Sequence, residues 1–532
     1  MRLFTHGLIV ISLVGISSCV APTATSIQTP AAASVPTPPE APVRAADFET
    51  AIATFERTAS QSPALLNARL DYADFLLDGT AGTCGQRLPQ ARSQLDRVTA
   101  SRPAQVLFPE GWSRAAELEY RIFLADASCG DNPARRTQEL QDAANAAQRA
   151  VGLYRDELDY SSMAVMQFNL SVTERMLGQN ATAVTALKSA IDMAREYGLR
   201  DDAQADYQLL LEWQHDAGGA QHLAALMQDF PSRSTTLKFS WSPSDATVTV
   251  ELNHVRDWDG EISRARGTRT LQRQVRPDHD RWVISYPPGS AAFAPGVWPM
   301  GDSDSHPPNT AFRPQLLSFP DIAVSSAGEL KKVINTGAFA RRVTAETASQ
   351  IRQRAPHGAL VQDLMKIAIS SMQVAFGRKA IEIETRADYN LQTAMWIDAT
   401  LQQGVPYEIT AALPLPGFSV IVVNQRLQFL YTHAVPCTRD STEPTCAEII
   451  VHVAPETDSI AATLDALEDQ DRPLHYSGAM TLRIVTDPKT LTPYVFDARR
   501  YWYLSIDASD PDPSPDGQEV IESERTVRNV TY

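Results

Sequence analysis

A helical period that recurs through the first half of the chain constrains its fold more than any other feature. Across residues 47–231 apolar side chains return at helical spacing, and signals for strands are almost absent. The pattern at residues 47–63 returns about forty residues later, at Ala91, Leu95 and Val98 before Pro103. Because one helical pair cannot bury its apolar face alone, such repeats stack side by side. The sequence therefore predicts an all-α solenoid over residues 46–231.

One copy of the repeat is clearer than the others. It comprises Leu170, Gly178, Ala183, Val184, Leu187, Ala190 and Ile191. This pattern resembles a tetratricopeptide repeat, in which small residues let two paired helices approach closely. Residues 47–55 resemble the second helix of such a repeat, and residues 79–86 form an insert that lengthens one loop. More degenerate pairs occupy residues 114–154 and 201–230, which brings the total to about four or five helical pairs.

Besides Cys19, the chain has four cysteines, and an even number is typical of a disulfide framework in exported proteins, which would give two disulfides. Cys84 and Cys129 lie in glycine-containing loops within their helical pairs, so a bond between them would join neighbouring repeats; two free thiols are the alternative. Cys437 and Cys446 flank a loop-like stretch between two strand-like runs, so a bond there would close a hairpin loop. A metal site is disfavoured because the chain has no Cys-x-x-Cys.

The first residues resemble a bacterial lipoprotein signal. Arg2 gives a minimal positive start, residues 7–16 are mostly apolar, and Ser17 and Ser18 precede Cys19. The resemblance implies a signal peptide over residues 1–18 and lipidation of Cys19. Because Val20 rather than Asp follows, it also implies a location in the cell envelope, at the periplasmic face of the outer membrane. An ordinary secretory signal is the alternative.

Residues 19–45, rich in Pro and Ala, are expected to be a disordered tether.

Near residue 232 the hydrophobic period changes from helical to alternating. Strands are predicted over residues 247–252, 261–275, 281–286, 407–413, 418–423, 427–435, 447–453, 479–486, 494–506 and 520–532. Helices are predicted over residues 345–403, including an amphipathic segment at 359–376, with a short helix near 460–467. Residues 232–532 should therefore form an α+β region with a mostly antiparallel sheet and helices on one face. Whether the helices near 345–403 separate two subdomains is left open.

Signatures of catalysis are mostly absent from the sequence. It contains no Gly-x-Ser-x-Gly, no His-Glu-x-x-His, no phosphate-binding loop and no Rossmann glycine pattern. Three polar clusters could hold a cation, but a solvated loop or an interhelix turn explains each of them as well. They are Asp302, Asp304 and His306; Asp507, Asp510, Asp512 and Asp516; and His215, Asp216 and His222. We therefore expect no catalytic residues, no metal and no cofactor, with an uncharacterised hydrolase as the remaining enzymatic alternative.

The expected function is protein binding. A net charge of −16 disfavours nucleic acid as a partner, and the membrane should be reached through the lipid anchor alone. The tetratricopeptide resemblance implies that the repeats bind an envelope protein or peptide on a concave surface; a solenoid that only packs on the C-terminal half is the alternative.

A second hypothesis is a carrier or binding module for an apolar ligand such as a lipid, held between the C-terminal sheet and its helices. Tyr501, Trp502 and Tyr503 alternate along one strand and could offer an outward ring as a binding platform, unless helices cover it.

Overall fold

The computed structural model describes most of the chain beyond the first 43 residues. The described residues are 44–58, 61–78, 83–129, 132–215, 218–228, 236–258, 261–287, 292–293, 319–354, 377–395, 397, 399–438, 446–456, 459–460, 474–506 and 519–532. The predicted signal peptide, Cys19, residues 19–43 of the predicted tether and the predicted helix at 359–376 lie outside them, whereas Ala45, the last residue of the predicted tether, begins a helix. Most of the short helix expected near 460–467 does too.

The N-terminal half is helical, as predicted. Its helices are α1 (Ala45–Thr58), α2 (Pro63–Leu77), α3 (Cys84–Thr99), α4 (Arg102–Leu107), α5 (Ser113–Cys129), α6 (Pro133–Glu157), α7 (Tyr160–Met176), α8 (Asn180–Glu196), α9 (Arg200–Trp213) and α10 (Gly219–Gln228). Successive helices pack as hairpins, with α2 on α3, α5 on α6, α7 on α8 and α9 on α10. The expected insert at 79–86 is shorter, because α3 already begins at Cys84.

Capping residues and glycines mark where these helices begin and end. The Ser62 hydroxyl accepts hydrogen bonds from the backbone N–H groups of Ala64 and Leu65, and Asn132 caps α6 in the same way. Gly178 and Gly198 follow α7 and α8 with φ of 78° and 75°, a conformation that side chains with a Cβ rarely adopt. Short turns after α7 and α8 therefore send the chain directly into the next helix.

The C-terminal half is built on strands, as predicted. They are β1 (Thr236–Lys238), β2 (Ala246–Trp258), β3 (Glu261–Asp278), β4 (Arg281–Ser285), β5 (Ala292–Phe293), β6 (Asp321–Ser325), β7 (Leu330–Ile334), β8 (Thr400–Gln402), β9 (Tyr407–Leu415), β10 (Phe418–Val435), β11 (Cys446–Pro455), β12 (Leu474–Thr486), β13 (Pro493–Ile506) and β14 (Glu519–Thr531). Among the described residues of this half, two helices interrupt the strands, α11 (Thr336–Arg354) and α12 (Arg378–Tyr389), and a π-helical turn follows α12 at Asn390–Ala394.

Within the described residues, the long strands form one antiparallel sheet in the order β7-β6-β4-β3-β2-β14-β13-β12-β11-β10-β9. The C-terminal strand β14 lies between β2 and β13, so it joins the strands that precede α11 and α12 to those that follow them. The sheet is therefore not divided at residues 345–403. The short strands β1 and β8 pair separately.

The structure differs from the predictions about this half in four respects. The strands expected at 418–423 and 427–435 are one strand, β10, which passes straight through Gln425. Strands β6 and β7 were not predicted, and α11 begins at Thr336, ahead of residue 345. The expectation of helices on one face was incomplete as well, because the other face of the sheet packs against the N-terminal helices.

The sheet is therefore covered on both faces, by α12 and the π-helical turn on one and by N-terminal helices on the other. On one face, side chains such as Leu427, Phe429 and Ile484 pack against α12 and the π-helical turn through Ala387 and Leu391. On the other face, Ile450 joins the alanine-rich core of α6 and α7. Burial of apolar side chains on both faces of the central strands fixes their register, since a slip of one residue would exchange the two faces.

Candidate functional site

The sheet contacts the solenoid at the connections between hairpins. Between α3 and α5, Val106 and Leu107 of α4 pack with Tyr503 and Ile521 of the sheet. The Ser523 hydroxyl donates a hydrogen bond of 2.6 Å to the Val106 carbonyl oxygen. Tyr160 lies at the next connection along the stack, between α6 and α7, and Glu196 lies at the connection between α8 and α9. Both residues lie on the same face of the stack as α4. The C-terminal half therefore lies along one edge of the solenoid.

A buried ionic network holds the second part of this edge. Glu448 of β11 is 1% exposed and binds Arg483 of the neighbouring strand β12. His433 lies between two carboxylates, with Nδ1 3.2 Å from Glu448 Oε2 and Nε2 3.1 Å from Glu196 Oε1. The Tyr160 hydroxyl donates to Glu448 Oε1 over 3.2 Å. Since Glu196 and Tyr160 belong to the helices, the network joins the two halves of the chain.

The pKa shifts in this network favour its charged form. Burial alone would raise the pKa of Glu448, but the hydrogen bond from His433 and the charge of Arg483 outweigh it and lower that pKa to about 2. Burial would lower the pKa of His433, but its hydrogen bonds to Glu196 and Glu448 raise it to about 9. At neutral pH the interface therefore holds an imidazolium and a guanidinium around one carboxylate. This is a structural arrangement, because each group already has a partner of opposite charge.

The first helices of successive hairpins share a surface on a different side of the solenoid. Arg114 and Arg121 of α5 form ion pairs with Asp71 and Asp74 of α2, which places these two helices side by side. Further along, the Arg175 guanidinium lies 4.6 Å from the ring centre of Trp213, which places α7 beside α9. We call the surface of α2, α5, α7 and α9 that carries these pairs the repeat groove. The contacts with the sheet described above come from the connections between hairpins, not from this surface.

Helix α7 carries an apolar stripe in the repeat groove. Val165 and Met176 are 45% and 42% exposed, and Phe168 and Val172 lie half-buried between them. The opposite side of α7 is its core side, with Met163, Met166 and Leu170 buried. This second stripe was not predicted, although its signal was present as apolar residues at spacings of three and four along the helix.

A cavity lies on the other face of the sheet, between the strands and α12. Its volume is ≈ 200 Å³. Leu413, Leu482, Phe496 and Ala498 line it with apolar side chains, and Arg500 adds a charged group. Its position agrees with the one expected for the apolar-ligand hypothesis, between the C-terminal sheet and its helices.

The polar clusters considered as cation sites are not assembled in the described residues. Asp302, Asp304, His306 and all four aspartates of the 507–516 loop lie outside them, as does Asp216. His215 has a φ of 54° in the turn after α9, and His222 is exposed on α10, in agreement with an interhelix turn. In the part of the chain that the structure describes, no group of three His, Cys, Asp or Glu side chains could hold a metal ion. None of the described helices is long and apolar enough to cross a membrane.

The aromatic residues of β13 do not form a platform. Tyr503 is 1% exposed beneath α4, and Trp502, on the opposite face, is 5% exposed. Trp502 packs directly on Gly417, whose φ is 86° and whose position has no room for a side chain, since a Cβ there would lie 2.6 Å from the indole ring. The hypothesis of an outward binding ring was wrong because both faces of this strand are covered.

Both cysteine pairs are disulfide-bonded in the structure, Cys84 to Cys129 and Cys437 to Cys446. Cys84 is the first residue of α3 and Cys129 is the last residue of α5. The first bond therefore joins two neighbouring hairpins of the solenoid. The second closes the loop between β10 and β11, as expected for a hairpin.

Comparisons with known proteins add little to this description. No protein-family model matches the chain, and no curated protein matches it. Among solved structures, it is similar to a thermophilic TPR protein of Thermus thermophilus, with 16% identity over 34% of this chain and 92% of that chain, at a TM-score of 0.21. It is also similar to a structure described as lipid–protein interactions in lipovitellin, with 10% identity over 55% of this chain and 25% of that chain, at a TM-score of 0.25. Both TM-scores are low, and neither similarity defines the fold of this chain.

Proposed function

We propose that this chain is a membrane-anchored envelope lipoprotein that acts as a protein-interaction scaffold. The repeat groove would bind a segment of another envelope protein or a peptide. The observation that carries the proposal is the exposed apolar stripe of α7, whose residues Val165 and Met176 remain accessible. Large exposed apolar side chains in a row are typical of a surface that a partner covers. The alternative of a solenoid that only supports the C-terminal half is less favoured, because the sheet packs against another side of the repeats.

The positions of the charged and apolar side chains along the repeat groove also indicate which kind of segment it would bind. Side chains of Asp71 and Asp78 are 48% and 63% exposed at one end of the groove, near Arg114 and Arg121. The stripe on α7 lies further along the stack. A bound segment would thus place apolar residues on α7 and polar residues toward α2 and α5. With a net charge of −16, the chain as a whole would repel a polyanionic partner such as nucleic acid.

Mutation of the apolar stripe tests the scaffold. We expect Val165→Ser combined with Met176→Ser to reduce recovery of a reproducible partner from detergent-solubilised envelopes by about tenfold, which corresponds to a combined loss of about 1.4 kcal/mol of binding free energy. The matched control is Val405→Ser with Val422→Ser, which removes two apolar side chains of similar exposure, 40% and 43%, from the C-terminal half. Quantitative mass spectrometry measures recovery. Equal recovery with both double variants would place the partner elsewhere.

The anchor has its own test. In cells of a Gram-negative bacterium, we expect Cys19→Ala to move the chain out of the outer-membrane fraction and to abolish incorporation of labelled palmitate. Several acyl chains hold a protein on a bilayer, whereas a single chain gives only marginal binding. Ser34→Ala, in the predicted tether, leaves Cys19 and both disulfides intact and is the control, so this variant should stay in the membrane fraction. Unchanged fractionation of the Cys19 variant would exclude the lipid anchor.

A further inference from the structure

The cavity beneath α12 has the size and lining of a site for a small apolar group. At ≈ 200 Å³ it exceeds the roughly 150 Å³ of an apolar cavity that is known to accept benzene. Leu413, Met480, Leu482 and Phe496 contribute its apolar wall from three strands of the sheet. These side chains lie on the face that α12 covers, so the cavity lies on the opposite side of the sheet from the solenoid.

Charged groups border the apolar wall, and arginines predominate among them. Arg273, Arg500 and Arg528 line the cavity together with Glu384 and Asp388. Arg528 binds Asp388 through two hydrogen bonds of 2.7 and 2.8 Å, so these two charges neutralise each other. Arg528 is also held between two rings, with Phe319 at 4.6 Å and Phe496 at 5.0 Å from its guanidinium carbon. Its position is therefore fixed by the protein itself.

Arg500 is the group best placed to bind a ligand. Its Nε lies 3.1 Å from Glu524 Oε1, on the sheet side, and its side chain is 26% exposed. The planar guanidinium carries five N–H donors, and a single carboxylate neighbour near Nε uses only part of that capacity. A carboxylate that enters the cavity would meet Arg500 where the charged border adjoins the apolar wall.

We propose that this cavity binds a single-chain anionic amphiphile of medium length, a carboxylate of about eight carbons. The carboxylate would bind Arg500, and the alkyl chain would lie against Leu413, Met480 and Leu482. This inference goes beyond the scaffold proposed above, because the repeat groove takes no part in it. It assigns the C-terminal half a ligand whose head is anionic and whose tail is apolar.

The wild-type full chain allows a test that needs no mutation. After bound lipid is removed on a hydrophobic resin, isothermal titration calorimetry is performed with octanoate, octylammonium, 1-octanol and butyrate. We expect octanoate to bind with one site per chain, and each of the other three to bind at least tenfold more weakly, which is about 1.4 kcal/mol. Octylammonium and 1-octanol test the charge of the head, and butyrate tests the tail. Equal binding of octanoate and 1-octanol, or no saturable binding of octanoate, would overturn the proposal.

Two neighbouring arginines of β13 supply the matched variants. Arg500→Gln should weaken octanoate binding about tenfold, because a charge-assisted hydrogen bond is lost. Arg499→Gln, on the opposite face of the same strand, should leave it within about twofold. Melting temperatures of both variants are measured first, and the ligand series on the wild-type chain decides the question if either fails to fold. An equal loss with Arg499→Gln would show that the cavity is not the site.

Discussion

Replacing Glu448 with alanine is expected to lower the free energy of unfolding by about 3–5 kcal/mol. The carboxylate is 1% exposed and accepts from Thr432 Oγ1 at 2.9 Å and from Tyr160 at 3.2 Å. It also faces His433 and Arg483. Its removal would leave these two cations near each other without the negative charge between them. Breaking a buried ion pair from one side is costly for this reason, even where the intact pair contributes little net stability.

Urea denaturation followed by circular dichroism measures the effect, and Glu408→Ala is the control. Glu408 lies on strand β9, at the edge of the sheet, with an exposed side chain, so its loss should change stability by less than about 0.5 kcal/mol. A double-mutant cycle with Glu196→Ala adds a second measurement. Because both carboxylates bind His433, their coupling energy should be at least about 0.5 kcal/mol. A Glu448 variant as stable as the Glu408 variant, or a coupling near zero, would show that the network does not hold the two halves together.

This network also shows what could not be predicted from the sequence. Glu448 and Tyr160 are 288 residues apart, and periodicity along a strand identifies its faces without saying what will cover them. The helical half was predictable because its signal is local: apolar spacing, Ser62 and Asn132 as caps, and glycines after helices. The pairing of Cys84 with Cys129 followed from the same local order, since consecutive hairpins place equivalent loops on one edge.

The errors in the C-terminal half have physical causes of the same kind. The predicted strands at 418–423 and 427–435 leave the polar residues Asn424, Gln425 and Arg426 between them, whereas β10 continues through all three. In the structure Gln425 is buried, and its side-chain amide donates to the carbonyl oxygens of Leu413 and Pro414 on the adjacent strand. The partner groups on β9 make a polar residue acceptable inside this strand. Strands β6 and β7 were missed because neither alternates: Ile322, Ala323 and Val324 are buried in succession in β6, and two exposed lysines follow each other in β7.

Removal of the Cys84–Cys129 disulfide is expected to lower the free energy of unfolding by about 4 kcal/mol in the chain-entropy model, because the bond restricts the unfolded chain over a separation of 45 residues. The Cys437–Cys446 bond, with a separation of 9 residues, should contribute about 2.7 kcal/mol by the same reasoning. The comparison uses two double variants, Cys84→Ser with Cys129→Ser and Cys437→Ser with Cys446→Ser. Each is measured by urea denaturation against the wild-type chain.

The informative result is which of the two double variants loses more free energy of unfolding. A larger loss for the first pair agrees with a bond that joins two hairpins of the solenoid, since α3 and α5 then lack the covalent link between them. The second bond connects β10 and β11, which already pair along their length from Gln425 with Pro455 to Val435 with Cys446, so the folded sheet should keep its register without it. Addition of a reductant to the wild-type chain should reproduce the sum of the two losses, because the bonds are far apart and share no partner. The opposite order would mean that the hairpin loop, not the joint between the repeats, limits the stability of the chain.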